Sequence, residues 1–481
     1  MIFSFFVLLI PRVVLQFEEK VSFQPTIPFS QVSESKGLYG YGLDSIEVRQ
    51  AVVSEPWRSI SPRGKVKNLT SVRPILPREK IAHQVLRSDR CYPSQLLLKL
   101  GLELEEKFPE ETERKRAEDV YTKALACSQD YSALISGYRL ALLLIWREDY
   151  AQASRILEIL QKLPEVGDLV LRISYWQSYC ARLQNQTLKQ MEFDSRILQN
   201  YPLSFYSMIL SHPTVVSDYV DLNRPDELDI SFRPEHSLAL AALTRKIELL
   251  LVSGAQEEAA DLLIEYTPRV QQESEHFRLY WSILLERSGK KIQAYQNLIG
   301  LVHGDPRRLV KSYLKFLYPR EFLDLVQRVD PELDPFLVLS LIRQESVFNP
   351  LAVSSAQAFG LMQLQYPTAR LFQHSLHLRQ LYQPEVNVQI GTAYLKKLIQ
   401  DYDGSIELAL VAYNAGPART RKWVKRYPTR NRLLFLDLLP VKETREYVAS
   451  ILRNYRLYQN LYPEEFEQIK NKAHFEIGKS D

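Results

Sequence analysis

Three short segments of this chain repeat one pattern: "REDYAQASRIL" from Arg147, "SGAQEEAADLL" from Ser253 and "SGKKIQAYQNL" from Ser288. In each, an alanine follows a turn at the same offset, giving Ala153, Ala259 and Ala294. The last two lie 35 residues apart, close to the length of one two-helix hairpin. A small residue at that point lets paired helices approach, and each hairpin needs its neighbours to complete a core. Residues 95–302 are therefore expected to stack as an α-superhelix. By itself such an array is a scaffold or a binding surface.

The flanks read differently. Residues 1–20 begin with the apolar run "MIFSFFVLLI", too short before Pro11 to span a bilayer and better suited to a signal-peptide core. No positive charge precedes that run and no A-x-A site follows it, so export or anchoring and a buried N-terminus both stay open. Residues 21–94, with "VVSEPWRSISPRGKVKNLTSVRPILPREK", are rich in Ser and Pro and read as an irregular arm. A connection over 303–333 contains "HGDPRR" and "LYPREF". A compact segment over 334–463 and a polar tail over 464–481 complete a chain expected to be mainly all-α.

At 481 residues the chain can hold two or three substantial cores. Its formal charge of +4 permits an anionic partner without arguing for one. Cys91, Cys127 and Cys180 have no metal-ligand spacing, and an odd count excludes complete pairing within the chain. Cys127 and Cys180 fall in apolar helical patterns and are expected to be buried free thiols.

The chemistry concentrates after residue 334. In "DPFLVLSLIRQESVFNP", Asp334 can cap a helix and Pro335 suits its first position, while Asn349-Pro350 supplies a stop. The intervening apolar residues leave no polar face, so this helix is expected to be buried. Val338, Leu341 and Ile342 precede Glu345 by seven, four and three residues, which puts the carboxyl on the apolar stripe. A carboxyl there must find a partner, stay protonated or face a cleft.

Three further pieces accompany it. "SSAQAFGLMQL" presents Met362 and Gln363 after a glycine turn. "IELALVAYNAGP" ends a close-packed helix with Tyr413 and Asn414, and Gly416-Pro417 terminates it. "LPVKETREYV" supplies Glu443, Arg445 and Tyr447. Each also has a bland reading, as a turn, a cap or a surface ion pair, and spacing alone does not separate the two.

"RQESVFNP", "GLMQL", "AYNAGP" and "LPVKETREYV", in that order, resemble the soluble lytic murein transglycosylases, whose catalytic domain is goose-type-lysozyme-like. "LYQPEVNVQIGTAYLKKLI" is similar to the family's connecting helix. The resemblance covers about 130 residues, and the preceding tetratricopeptide-like superhelix is similar in architecture to the α-domain of the large soluble members. It implies a lysozyme-like, mostly helical catalytic domain after the superhelix. It also implies Glu345 as catalytic acid, with Ser346 beside it. Met362 and Gln363 would contact saccharide, Tyr413 and Asn414 would form a polar cleft wall, and Glu443 and Tyr447 would belong to the far side.

The implied reaction cleaves the β-1,4 bond between N-acetylmuramic acid and N-acetylglucosamine in peptidoglycan, with Glu345 as general acid and then base. The muramyl C6 hydroxyl replaces water and leaves a 1,6-anhydromuramyl end. An apolar setting would raise the Glu345 pKa and keep its proton available. Glu443 is assigned to cleft electrostatics and substrate binding. The rivals are a muramidase hydrolysing the same bond and a non-catalytic wall-binding scaffold. The implied partners are glycan strands, together with cell-wall turnover or assembly proteins on the helical domain. The implied location is the periplasm or cell envelope.

Two departures from the family pattern bear on the glycan subsites. Gln357 stands where a glycine is usual, and Leu364-Gln365-Tyr366-Pro367 carries its proline one place late. From Leu408 to Leu436 no acidic residue occurs, while Arg419, Arg421, Lys422, Lys425, Arg426, Arg430 and Arg432 alternate with Trp423 and Tyr427. That run reads as a solvated face or as an attraction for peptide-stem carboxylates. No nucleic-acid partner is expected, and no metal cluster or nucleotide loop calls for a cofactor.

Overall fold

The structure is a computed structural model that describes residues 84–163, 166–210, 234, 237–302 and 311–472. The expectations for residues 1–20, and for the arm up to residue 83, lie outside the described residues. So do 303–310 of the connection and 473–481 of the tail.

The first half is helix after helix: α1 (Ser94–Glu105), α2 (Glu111–Cys127), α3 (Tyr131–Trp146), α4 (Tyr150–Gln161), α5 (Val170–Leu183), α6 (Thr187–Asn200) and α7 (Phe205–Leu210), then α8 (Leu238–Val252), α9 (Gln256–Val270), α10 (Glu275–Arg287) and α11 (Lys291–Val302). From α1 to α7 and again from α8 to α11, each packs on the next. The repeated segments share one backbone device. Glu148, Gly254 and Gly289 adopt positive φ angles of 67°, 84° and 81°. The following amide in each case donates back five residues, as in Asp149 to Leu144, Ala255 to Leu250 and Lys290 to Leu285. This left-handed stop satisfies helix-end carbonyls and aims the next helix back on the last. Ala153, Ala259 and Ala294 are fully buried where the helices meet. A fourth copy of the stop occurs at Asn185, φ 57°, with Gln186 donating to Ala181. Its helix lacks the alanine, so the repeat does not show in the sequence.

The connection is itself helical, with α12 (Lys311–Leu317) and α13 (Leu323–Val329). Then come α14 (Pro335–Ser346), a two-stranded antiparallel hairpin of β1 (Ala358–Phe359) and β2 (Leu364–Gln365), and α15 (Tyr366–Phe372). They are followed by α16 (Pro384–Asp401), α17 (Ile406–Ala415), α18 (Pro417–Arg426), α19 (Arg432–Leu438) and α20 (Lys442–Leu461). The tail opens with α21 (Pro463–Lys472). Helix α14 is buried on every side from Pro335 to Arg343 and packs along α20, where Phe336 stacks on Tyr458 and Tyr462 at 5.6 and 6.1 Å. Each of its fully buried large apolar side chains contributes roughly 1.5–3 kcal/mol.

Cys127 is not a free thiol. It ends α2 and forms a disulfide with Cys91 in the turn before α1, leaving Cys180 buried and unpaired. Cys127 is only half-buried at the C-terminal end of α2, where the turn before α1 reaches it; apolar spacing described the helix but not its end.

Two buried carboxylates join the helical array to the segment after α14. Asp437 of α19 accepts hydrogen bonds from Tyr138 (2.9 Å), Trp176 (2.7 Å) and Tyr206 (2.8 Å), and pairs with Arg172. Glu105 of α1 accepts from Tyr121 (2.5 Å), Arg139 Nε (2.6 Å) and Tyr427 (2.6 Å). The charges are buried but fully engaged, the condition under which burial of an ion is tolerated.

Candidate active site

Helix α14 starts as its residues require. Asp334 accepts from the Phe336 amide at 2.8 Å and from the Tyr455 hydroxyl at 2.5 Å, while Pro335 occupies the first turn. Its end differs from expectation. The chain turns at Val347 and Phe348, with positive φ angles of 51° and 60°, before Asn349-Pro350 is reached. Two consecutive left-handed non-glycine residues, one β-branched, are costly and are found where the surroundings hold them. Here Phe348 is buried, and the Val347 amide still closes onto Arg343 at 3.2 Å.

Glu345 lies just before this reversal and is half-buried. The Tyr447 hydroxyl donates to Glu345 Oε1 at 2.5 Å. Tyr447 stands on the face of α20 that packs on α14. Its pKa is pushed well above the ordinary value by burial and then by the Glu345 charge. The same causes, in the same order, act on Tyr413 at the end of α17. Both phenols therefore remain protonated beside the carboxyl, so the Tyr447 hydroxyl keeps a proton to donate to it.

The "GLMQL" turn is fixed from three directions. Gly360 has φ 75°, and a Cβ there would meet Leu381 O and Asn387 Nδ2 at 2.2 Å, so no side chain fits. Asn387 of α16 donates to Phe359 O (2.9 Å) and Leu381 O (2.7 Å) and accepts from the Met362 amide (2.8 Å). Tyr413 donates to the Met362 carbonyl at 2.8 Å. This fully engaged buried amide was missed in the sequence, although it stands inside the connecting helix already singled out there.

The expected saccharide contacts divide. Gln363 has φ 47° and uses its amide nitrogen on Ala352 O (3.1 Å) and Gly360 O (3.0 Å), while its Oε1 is buried without a partner. Asn414 is half-buried and accepts from the Thr444 hydroxyl at 2.7 Å. Met362 is fully buried, with its sulfur where a Gly391 side chain would stand. Ser346 is also fully buried, and its hydroxyl donates to Leu361 O (2.8 Å) and Ile342 O (3.1 Å). These two shape and pin the wall from behind. Glu443 is exposed in the first turn of α20, one helical turn before Tyr447.

Arg445 does not pair with Glu443. It is half-buried, and its guanidinium donates to the Leu439 carbonyl. In the basic run, Trp423 and Tyr427 are buried while Arg419, Arg421, Lys422, Lys425 and Arg430 are exposed. The aromatic half of that alternation thus faces the core and offers no stacking platform. Among the described residues no group of three or more His, Cys, Asp or Glu side chains could hold a metal.

One acidic group, half desolvated and held by a phenol, beside a wall of amides and buried aromatics, suits proton transfer to a leaving oxygen. Residues 326–435 match the Transglycosylase SLT domain family. The chain carries an SLT domain. Relatives of this segment include the soluble lytic murein transglycosylases of Salmonella typhimurium and Escherichia coli, each 33% identical over 153 residues, which is 29% of this chain and 23% of theirs. The membrane-bound lytic murein transglycosylase C of Edwardsiella ictaluri is 36% identical over 112 residues, 20% of this chain and 31% of that one. This chain thus matches about a quarter of the length of the soluble relatives.

Two solved structures extend the likeness beyond the SLT domain. The 70 kDa soluble lytic transglycosylase of Escherichia coli aligns with TM-score 0.56 and 22% identity over 76% of this chain and 56% of that one. An inactive mutant of the lytic transglycosylase Slt of Pseudomonas aeruginosa aligns with TM-score 0.57 and 22% identity over 83% and 62%. At such identity the shared property is the fold, which is all-α and includes much of the helical array as well as the SLT domain.

Proposed function

We propose that this protein is a peptidoglycan lytic transglycosylase, cleaving the β-1,4 bond between N-acetylmuramic acid and N-acetylglucosamine. The observation that carries the reading is Glu345, half-buried at the end of an apolar helix and held by Tyr447 at 2.5 Å inside an SLT domain. Glu345 protonates the glycosidic oxygen as the C1–O bond breaks through an oxocarbenium-like transition state. The muramyl C6 hydroxyl then attacks C1 and returns its proton to the Glu345 carboxylate. A 1,6-anhydro ring forms, no water is consumed, and the carboxyl ends protonated as it began.

Because the nucleophile belongs to the substrate, a second catalytic carboxylate is not needed. Exposed Glu443 acts in cleft electrostatics and substrate binding. Gln363 offers its buried, unpartnered Oε1 to an acetamido N–H, and Asn414 and Tyr413 form the polar wall. Ser346 and Met362 serve by holding the turn that aims Gln363. The Cys91–Cys127 disulfide suits an oxidising compartment, which supports a periplasmic location where murein is found.

The test is mass spectrometry of soluble products from purified murein treated with the native protein and with Glu345→Gln. Anhydromuramyl ends from the native protein alone are expected. Reducing ends would select a hydrolase on the same fold, and binding without products from either protein would select a scaffold.

A further inference from the structure

Helix α20 serves two sites. Tyr447 points from one face towards Glu345, while Lys442, Arg445, Glu446, Ala449, Ser450 and Arg453, spaced three and four apart on another face, line a separate cavity. This cavity, of about 160 Å3, lies between α20 and helices α1, α3, α5 and α7 of the array. It has room for on the order of ten water-sized groups.

Its charge is unbalanced. The lining carries five cationic side chains and two carboxylates. Those carboxylates, Asp437 and Glu446, both pair with Arg172, and Arg139 on the array side pairs with Glu105 just behind it. Arg445 and Arg453 form no ion pair among the described residues. Arg445 donates to the Leu439 carbonyl, Arg453 donates to Asn454 Oδ1 at 3.2 Å, and Arg453 Nε is buried without a partner. Burial makes both guanidinium charges costly and draws both pKa values below the ordinary value. The positive charges of Arg172 and Arg139 add to the effect on Arg445, and the Glu446 and Asp437 charges oppose it only in part. A guanidinium presents a planar fork that matches a carboxylate with two hydrogen bonds. The array side of the cavity, meanwhile, presents an apolar strip, Leu102, Ile135, Leu171 and Phe205, beside Arg139 and Arg172.

We propose that this cavity binds a small organic anion, a carboxylate carried on a short apolar body, with Arg445 and Arg453 taking the carboxylate and the leucine and phenylalanine wall taking the body. The anion supplies the direct ion pair that Arg445 and Arg453 lack among the described residues, and it would bridge the helical array and α20. Inorganic phosphate would satisfy the charge but leave the apolar wall wet. The site does not depend on the reading of Glu345.

The test is thermal unfolding and calorimetric titration of the whole protein with isovalerate and with N-acetyl-D-alanyl-D-alanine. The first represents a free organic acid and the second a peptide carboxylate. Isovaleramide and inorganic phosphate serve as controls, and chloride matches the ionic strength. Saturable binding of either carboxylate, absent with the amide, is expected, and which one binds identifies the source. The Arg445→Gln/Arg453→Gln protein should bind at least tenfold more weakly, and without ligand it should melt no lower than the native protein, since like charges are removed. If that protein does not fold, Ala449→Leu, which fills the cavity from α20, must weaken binding instead. Equal response to the amide, a response to phosphate alone, or undiminished binding in the variants would overturn the proposal.

Discussion

Tyr447 and Glu345, 102 positions apart in sequence, meet through a hydrogen bond of 2.5 Å from the phenol to Glu345 Oε1. The two helices that carry them, α20 and α14, pack along one another, so the bond depends on the core as much as on the pair. A hydrogen bond to a charged group is worth roughly 1.5–3 kcal/mol. Tyr447→Phe is therefore expected to lower kcat about tenfold to hundredfold on murein, with little change in KM. An unchanged kcat would remove Tyr447 from the catalytic arrangement.

Gln357 gives a stability prediction of the opposite sign. It is exposed and holds a positive φ of 55°, the conformation that favours the glycine usual at this place in the family. Relieving the left-handed backbone outweighs the added freedom of the unfolded chain, so Gln357→Gly should stabilise by about 0.5–1 kcal/mol. Urea unfolding of the two proteins decides it, and a loss of stability would mean that the side chain contributes something beyond its backbone.

The Asp334 carboxyl is held above its ordinary range by burial, against the opposing hydrogen bonds from Tyr455 and the Phe336 amide. A carboxyl whose folded pKa is raised favours folding most when protonated, below its unfolded value of about 4, and loses that contribution as pH climbs through the folded pKa. The Asp334→Asn protein keeps the cap without the charge. Its stability relative to the native protein should accordingly improve from pH 4 upwards. Denaturation midpoints at several pH values test this, and a constant gap would contradict it.

Thiol chemistry separates the three cysteines. Burial pushes the Cys180 thiol up to about 12, partly opposed by a hydrogen bond to Ser154, so thiolate is scarce at pH 8. Iodoacetamide should leave the folded, unreduced protein unlabelled. After reduction under native conditions, Cys91 and Cys127 should take up label while Cys180 stays protected. Opening a bridge between residues 36 apart should also cost about 4 kcal/mol of stability on chain-entropy grounds. Labelling of Cys180 in the folded state would show that its helix opens readily.

What could be read in the sequence was governed by local chemistry. Asp334-Pro335 announced a helix start, Gly416-Pro417 a stop, and the repeated turns their small alanines where helices approach, because each depends on neighbours within a few residues. The order of four motifs singled out Glu345, Met362 and Ser346 together, but not that Met362 and Ser346 are fully buried. Asn387, Glu105 and Asp437 escaped notice for one physical reason. Asn387 ties Phe359 and Met362 of the hairpin to Leu381 just before its own helix, and the partners of Asp437 lie 231 to 299 residues away. Nothing in the spacing of a single helix marks a polar residue whose donors arrive from elsewhere. The left-handed Val347 and Phe348 were likewise hidden, because tertiary packing imposes that conformation against their own preference.

Asp437 also bears on what a portable piece of this protein would be. The stretch recognisable as an SLT domain ends at residue 435, two residues before Asp437 and twelve before Tyr447. Cut there, the fragment would part Glu345 from its phenol. In the array, Tyr138, Trp176, Tyr206 and Arg172 would be left as an empty receptor for a carboxylate. The length that recurs among proteins and the length that can stand alone in water are different lengths.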